Sequence, residues 1–329
     1  MGVGNPLDSI RMRKAALLYN QRSGGGRTHR RAEVDAALQI LRAAKVDTAF
    51  KITVSSADAG EQARRAIAAG CDTILACGGD GTVHDVIQGM AGSRAALGIL
   101  PMGTANALAH DLGMPLSCPA AAQVLLDADP KRIALGRVEL PDLNGERIAK
   151  YFTVAVGVGV DAHLFYKLNY ATKQKLGMAA YYATAWQLWF SYEMRPFAVR
   201  CAGVFGEEGM VATEMLAVRI RNFGGMLREL APGASLDRED LRLLLCQTSS
   251  RISYLSYVTR TLLGASWGVP GVELRDARSV RCDYVAGPEN GSGEVLKKVY
   301  VEADGELLGT LPAEITMVPD ALTVLIPRK

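Results

Sequence analysis

The chain has no C-x-x-C pair: its six cysteines, Cys71, Cys77, Cys118, Cys201, Cys246 and Cys282, are scattered along 329 residues. That spacing argues against a disulfide framework and a structural zinc site, and fits reduced thiols in a cytoplasmic protein. Only four histidines occur, His29, His84, His110 and His163, none at metal-ligand spacing. Excess charge is missing too, with 37 basic residues against 34 acidic for a net +3. So small a balance gives no basis for a nucleic-acid partner. The longest apolar run, residues 177–190, is shorter than the roughly 20 residues a membrane-spanning helix needs. The N-terminus carries no apolar signal core, and Pro6 stands where a myristoylation motif has Ser or Thr.

What the chain does have is enough length for two domains, and an ordinary globular composition with 49% hydrophobic residues. Its most informative stretch is Cys77-Gly78-Gly79-Asp80-Gly81-Thr82. It closes the apolar run Thr73-Ile74-Leu75-Ala76-Cys77 and opens a helix-like pattern through Val83, Val86, Ile87 and Met90. Strand, glycine turn and helix start together make a backbone cradle for phosphate: glycines admit main-chain N–H groups, and the helix N-terminus favours negative charge. Asp80 is the odd member, since a carboxylate repels phosphate unless a cation lies between them. The pattern points to a nucleotide handled with a divalent metal.

The first third alternates strand and helix signals, with strands expected at residues 15–19, 49–54, 73–77 and 97–100 and helices at 32–44, 59–69 and 83–90. Repeated β-α units imply a doubly wound, Rossmann-like parallel sheet with ligands at the carboxyl ends of its strands. Polar-glycine clusters follow all four expected strands: Asn20 to Gly24 with Ser23, Thr53 with Ser55 and Ser56, Gly78 to Thr82, and Gly103-Thr104-Ala105-Asn106. Each alone is ordinary turn chemistry; four in one domain would converge on one site. After about Leu135 the runs become strand-like with Gly and Pro breaks, which predicts a mostly antiparallel β domain with one helical insertion at 172–192. That insertion carries Trp186 and Trp189 within an aromatic stretch, 181–190, which reads as core or as a surface at the membrane interface. The basic clusters Arg11, Arg13, Lys14, then Arg22, Arg27, Arg30, Arg31, and later Lys167, Lys173, Lys175 read as solvated faces that would also suit phosphates or an anionic membrane.

Gly-Gly-Asp-Gly-Thr followed by Asp85 and Gly89, then Leu100-Pro101-Met102-Gly103-Thr104-Ala105-Asn106, resembles the diacylglycerol kinase catalytic-domain family, which includes bacterial soluble lipid kinases and the sphingosine and ceramide kinases. Asn20 to Gly24 is similar to its N-P-x-S-G opening, with Gln21 in place of proline. Gly157-Val158-Gly159-Val160-Asp161-Ala162, then Asn222, Gly224 and Gly225 before Ala231-Pro232, and finally Asp304-Gly305-Glu306 match further motifs in the same order. The resemblance covers almost the whole chain. It implies an ATP- and Mg²⁺-dependent kinase acting on a lipid hydroxyl, with an α/β nucleotide domain at 12–136, to which 319–329 return as a strand, and a β-sandwich lipid domain at 137–318. It places nucleotide contacts on Asn20, Ser23, Gly24, Thr53, Gly78, Gly79, Asp80, Gly81, Thr82, Val83, His84, Gly103, Thr104 and Asn106, with Asp80 holding the metal-nucleotide. Its general base falls on Glu306. By itself Asp304-Gly305-Glu306 would read as a hairpin turn. The partners implied are a lipid substrate and a peripheral membrane surface at the inner face, with a homodimer left as an option.

Three further departures stand against the family pattern. Ala107 follows Asn106 where several soluble members carry an aspartate, Asp85 replaces a glutamate, and Arg238 occupies a ligand position of the loop in which soluble members often bind a structural Mg²⁺. A guanidinium cannot ligate Mg²⁺, so no structural metal is expected at 235–240. An NAD kinase, which shares Gly-Gly-Asp-Gly and a similar two-domain plan, and a non-catalytic lipid- or nucleotide-binding regulator are the alternatives. Which lipid is taken lies beyond the motifs.

Overall fold

The computed structural model describes residues 12–23, 30–160, 162, 194–201, 209–224, 229–248, 250–263, 265, 268–285 and 298–328. The chain divides into two compact units, one of residues 1–135, 222–228 and 318–329, the other of residues 136–221 and 229–317.

In the first unit the elements run β1 (Lys14–Asn20), α1 (Arg30–Ala43), β2 (Asp47–Thr53), α2 (Ser56–Ala68), β3 (Thr73–Gly78), α3 (Asp80–Met90), β4 (Ala96–Pro101), α4 (Ala107–Asp111) and α5 (Cys118–Leu125). A long strand, β5 (Asp129–Pro141), leads into the second unit. The strands lie side by side in the order β2-β1-β3-β4, all parallel. β3 and β4 are buried along their whole lengths, as apolar strands covered on both faces must be. β2 is mostly exposed, because it forms the sheet's edge. The alternating pattern therefore yields the parallel sheet the sequence predicts.

Two glycines set how closely the helices pack. A Cβ on Gly89 of α3 would lie 1.9 Å from the Gly60 carbonyl oxygen of α2, so these helices meet backbone to backbone. Gly89→Ala should therefore force α2 and α3 apart and cost roughly 3 kcal/mol, the upper part of the range for overpacking. Urea denaturation of the two proteins measures it.

The second unit continues with β6 (Arg147–Phe152), β7 (Ala155–Gly159), β8 (Phe197–Arg200), β9 (Met210–Ala212), β10 (Glu214–Val218) and β11 (Leu241–Cys246). After a helix, α6 (Arg251–Leu262), come β12 (Val272–Ala277), β13 (Ser279–Tyr284), β14 (Tyr300–Ala303), β15 (Glu306–Thr310) and β16 (Ala313–Ile326). Six of these form an antiparallel sheet in the order β12-β11-β10-β7-β14-β15. A second antiparallel layer runs from β9 through β8 and β13 to the first residues of β16. Inward residues of both layers, among them Val158, Met215, Leu243, Phe197, Val280 and Ile315, share one buried core, which is the expected sandwich. β16 then leaves this unit, and its Thr323 and Val324 pair in parallel with Ala96 and Leu97 of β4 in the first.

Three features depart from the sequence reading. The run 151–160 is two strands rather than one, broken at Thr153-Val154. α6 was not expected: Ile, Tyr, Val and Thr dominate it and favour strands, but Tyr257 is buried and its hydroxyl donates to the Leu230 carbonyl at 2.6 Å, a tertiary anchor that overrides propensity. Residues 222–224 group with the first unit rather than the sandwich, because the Asn222 N–H donates to Asp111 Oδ1 at 2.9 Å and Gly224, at φ +79°, lies against His110 where no side chain would fit. The predicted insertion at 172–192, with Trp186 and Trp189, lies outside the described residues, as do Lys167, Lys173, Lys175 and Asp161.

Candidate active site

Three strand ends of the first unit are tied together by side-chain hydrogen bonds. At the end of β1, Asn20 Nδ2 donates to Thr82 Oγ1 at 3.0 Å, and Ser23 Oγ lies 3.1 Å from the same hydroxyl. Ser23 Oγ also accepts the Gly79 N–H at 3.3 Å. The β1 loop is therefore fastened to the first turn of α3. Gly78 permits this approach: a Cβ there would stand 2.3 Å from Thr82 Oγ1. Gly79 and Gly103 face each other so closely that a Cβ on Gly103 would lie 2.5 Å from the Gly79 Cα. α3 begins at Gly79 without a side-chain cap, and the first amides of a helix have no intrahelical partner. A glycine-lined, uncapped helix start has the donors and the space a phosphate needs.

Asp80 does something the sequence did not suggest. Its Oδ2 accepts the Asn106 N–H at 2.8 Å and its Oδ1 accepts the Ala107 N–H at 2.6 Å. One carboxylate thus spans from α3 to the start of α4 and caps it. Asn106 adopts a left-handed conformation (φ +50°), which its short polar side chain tolerates. That side chain closes the loop on itself, with Oδ1 accepting the Gly103 N–H at 2.8 Å and Nδ2 donating to the Gly103 carbonyl at 3.1 Å.

The predicted site residues separate accordingly. Asn20, Ser23, Gly78, Gly79, Asp80, Thr82, Gly103 and Asn106 belong to this single network. Thr53 sits beside it at the end of β2, its hydroxyl donating to the Tyr19 carbonyl at 3.4 Å. Gly81 is half-buried in the first turn of α3 and Thr104 is exposed on the loop between β4 and α4. Val83 is different: its side chain is buried and its N–H closes the first helical bond to Gly79. His84 has a buried side chain as well. Ser55, grouped with Thr53 in the sequence, caps α2 through the Asp58 N–H instead. Gly24 lies outside the described residues.

Arg30 was missed as a site residue. Its guanidinium donates to the Ser23 carbonyl at 2.7 Å and to the Met102 carbonyl, clamping the β1 loop to the β4 loop. In the sequence it was one of a run of arginines, and nothing in that run distinguishes the one that bridges.

Whether a metal fits follows from the donors. Among the described residues no group of three or more His, Cys, Asp or Glu side chains could hold a metal. A single carboxylate whose oxygens keep further lone pairs suits Mg²⁺ that arrives on nucleotide phosphates, which needs few protein ligands. At the loop where the family pattern has a structural metal, Arg238 forms a bidentate pair with Asp240 at 2.6 and 2.8 Å and lies 3.1 Å from Asp276. Its hydrogen bond holds the Asp240 carboxyl below its ordinary value. A depressed carboxylate contributes stability above its unfolded pKa and loses it as pH falls through the lower folded value. Arg238→Met should therefore cost about 1 kcal/mol at pH 7, the pair being partly exposed, and progressively less below the ordinary carboxylate range. Melting curves across pH test both signs. The six cysteines are all buried and form no disulfide, and burial pushes Cys201 up to about 11 and Cys246 to about 12, which favours the neutral thiol of both at neutral pH.

In the second unit, Asp304-Gly305 forms the two-residue turn between β14 and β15, with φ +50° and +83°. Both residues at positive φ make the turn type for which Asp-Gly is favoured. Glu306, the first residue of β15, is exposed.

The chain matches the diacylglycerol kinase catalytic domain over residues 14–138 and the YegS C-terminal NAD kinase beta sandwich-like domain over 154–326. A diacylglycerol kinase of Mycobacterium tuberculosis is 32% identical over 318 residues, 96% of each chain. In fold, it is similar to a diacylglycerol kinase from Bacillus anthracis (TM-score 0.69, 19% identity, 97% of this chain and 98% of that one). Yeast NADH kinase is also similar in fold (TM-score 0.53, 10% identity, 97% and 85%). Matched in both of its domains and along nearly its full length by a relative of that name, the chain belongs to the diacylglycerol kinase catalytic-domain family.

Proposed function

We propose that the protein is an ATP-dependent lipid kinase that phosphorylates the hydroxyl of a diacylglycerol, a ceramide or a sphingoid base. The observation that carries this reading is the glycine-lined network of Asn20, Ser23, Gly79, Asp80, Thr82 and Gly103 at three adjacent strand ends. The amides at the start of α3 would receive the nucleotide phosphates, and Asp80 would hold Mg²⁺ on them. When bound, the metal would neutralise charge on the phosphate oxygens, the main requirement of phosphoryl transfer. Glu306 accepts the proton of the lipid hydroxyl as its oxygen forms a bond to the γ-phosphorus. The bond from that phosphorus to the bridging oxygen breaks, and ADP leaves with the electron pair. A carboxylate serves here because an alcohol is a poor nucleophile at neutral pH.

A second reading is favoured by the fold shared with yeast NADH kinase and by the NAD kinase-like description of the sandwich. The same cradle would then serve a kinase whose acceptor is NAD. Incubating the protein with Mg-ATP and a panel of diacylglycerol, ceramide, sphingosine and NAD separates the two. Turnover of a lipid alone supports the first reading, and turnover of NAD alone replaces it. Binding without turnover of any acceptor makes the protein a regulator. Among the described residues no helix is long and apolar enough to cross a membrane.

A further inference from the structure

An aspartate in a two-residue hairpin turn usually stands in water; Asp304 does not. It is 9% exposed, and its carboxylate is turned in beneath its own turn. Oδ1 accepts the N–H groups of Val154 and Ala155 at 2.8 and 3.1 Å. Oδ2 accepts the Thr153 N–H at 3.0 Å and lies 3.4 Å from the Thr153 hydroxyl. Three successive amides therefore converge on one carboxylate, a backbone nest filled by an anion from the chain itself. These amides belong to the break between β6 and β7, 149 to 151 residues away in sequence. The Asp304 N–H returns a bond to the Ala155 carbonyl at 2.9 Å. From the other side, the buried carboxylate of Glu302 accepts the Gly305 N–H at 2.8 Å.

We infer that Asp304 is a positioning residue for Glu306. Strand pairing alone fixes a hairpin along its length but leaves its tip free to swing. Here the tip is fastened to the start of β7, a strand hydrogen-bonded on both sides, and Glu306 follows two residues later. The inference rests on the reading of Glu306 as the general base. It explains why the break in the 151–160 run occurs at Thr153-Val154: the chain leaves the strand conformation there to present its amides to Asp304.

The test compares Asp304→Asn, Glu306→Gln and the double variant, using whichever of diacylglycerol, ceramide and sphingosine the wild type turns over fastest. Asparagine tolerates the positive φ and keeps one acceptor oxygen, but sets an NH₂ group against amide donors. Its kcat should fall about tenfold to a hundredfold, the scale of a small misplacement of a reacting group, with KM for ATP within about twofold of wild type. The double variant should be no slower than Glu306→Gln alone, because residues acting as a unit are not additive. A kcat that Asp304→Asn leaves undiminished, or a double variant slower by the product of both losses, overturns the inference while Glu306 stands as base. A fully active Glu306→Gln protein, or no lipid turned over at all, removes the base reading and the inference with it. Should Asp304→Asn fail to fold, Thr153→Val removes a side-chain donor to Asp304. It should lower kcat roughly threefold for the same reason, and an unchanged kcat there also overturns the inference.

Discussion

Glu306→Gln is expected to lower kcat for lipid phosphorylation by about 10² to 10⁴-fold, the contribution of a positioned general base, while nucleotide affinity stays as in wild type. The separation follows from where the groups lie. The phosphate cradle is built wholly from the first unit, and Glu306 belongs to the second. Glutamine keeps the shape of the side chain and its exposed position at the start of β15, and removes only the ability to take a proton. Steady-state kinetics with the active lipid, beside a nucleotide titration without lipid, give both numbers. Retention of full activity would strike Glu306 from the mechanism and leave the cradle to act by positioning and charge alone.

Asp80→Ala is the second large effect, and it should be felt in stability as well as in binding. Both carboxylate oxygens accept amides at the start of α4. Alanine leaves those two donors without their partner, at about 1–3 kcal/mol for each group that stays unpaired. A total loss of about 2–6 kcal/mol is expected, and the loop from Gly103 to Asn106 loses the contact that sets it against Gly79. Nucleotide affinity should fall at least about tenfold, as displaced positioning groups commonly cost. Asp80→Asn should lie between, since an amide keeps one acceptor oxygen. Chemical denaturation and calorimetric titration with Mg-ATP measure the pair of effects. A variant that binds nucleotide weakly but unfolds like wild type would assign Asp80 to the ligand alone and not to the scaffold.

The bonds of Asp80 are of a kind that the sequence does not display. Gly-Gly-Asp-Gly announces a phosphate loop because glycines, a strand end and a helix start are local properties, visible within a few residues. The same is true of the β-α alternation and of the shift to short polar-broken strands after about Leu135. What Asp80 bonds to is not local: its partners lie 26 and 27 residues on. Arg30 is a sharper case, because its carbonyl partners at Ser23 and Met102 come from the loops after two different strands, and no composition rule singles it out among its neighbours. α6 escaped notice because its residues favour strands and its anchor, Tyr257 to Leu230, is a tertiary contact.

The sequence by itself determined that this is a two-domain protein of the diacylglycerol kinase catalytic-domain family, with an α/β unit carrying a glycine phosphate loop and a β unit carrying Asp304-Gly305-Glu306. Those features are periodicities and short motifs, which the chain encodes where they stand. Only the tertiary structure decided what the carboxylates do. Asp80 caps α4, and Asp304 fills the nest of amides at 153–155. Arg238 pairs with Asp240 and Asp276, while Glu306 stays exposed. A carboxylate's role is set by the donors around it, and folding brings those donors from segments that the sequence keeps far apart.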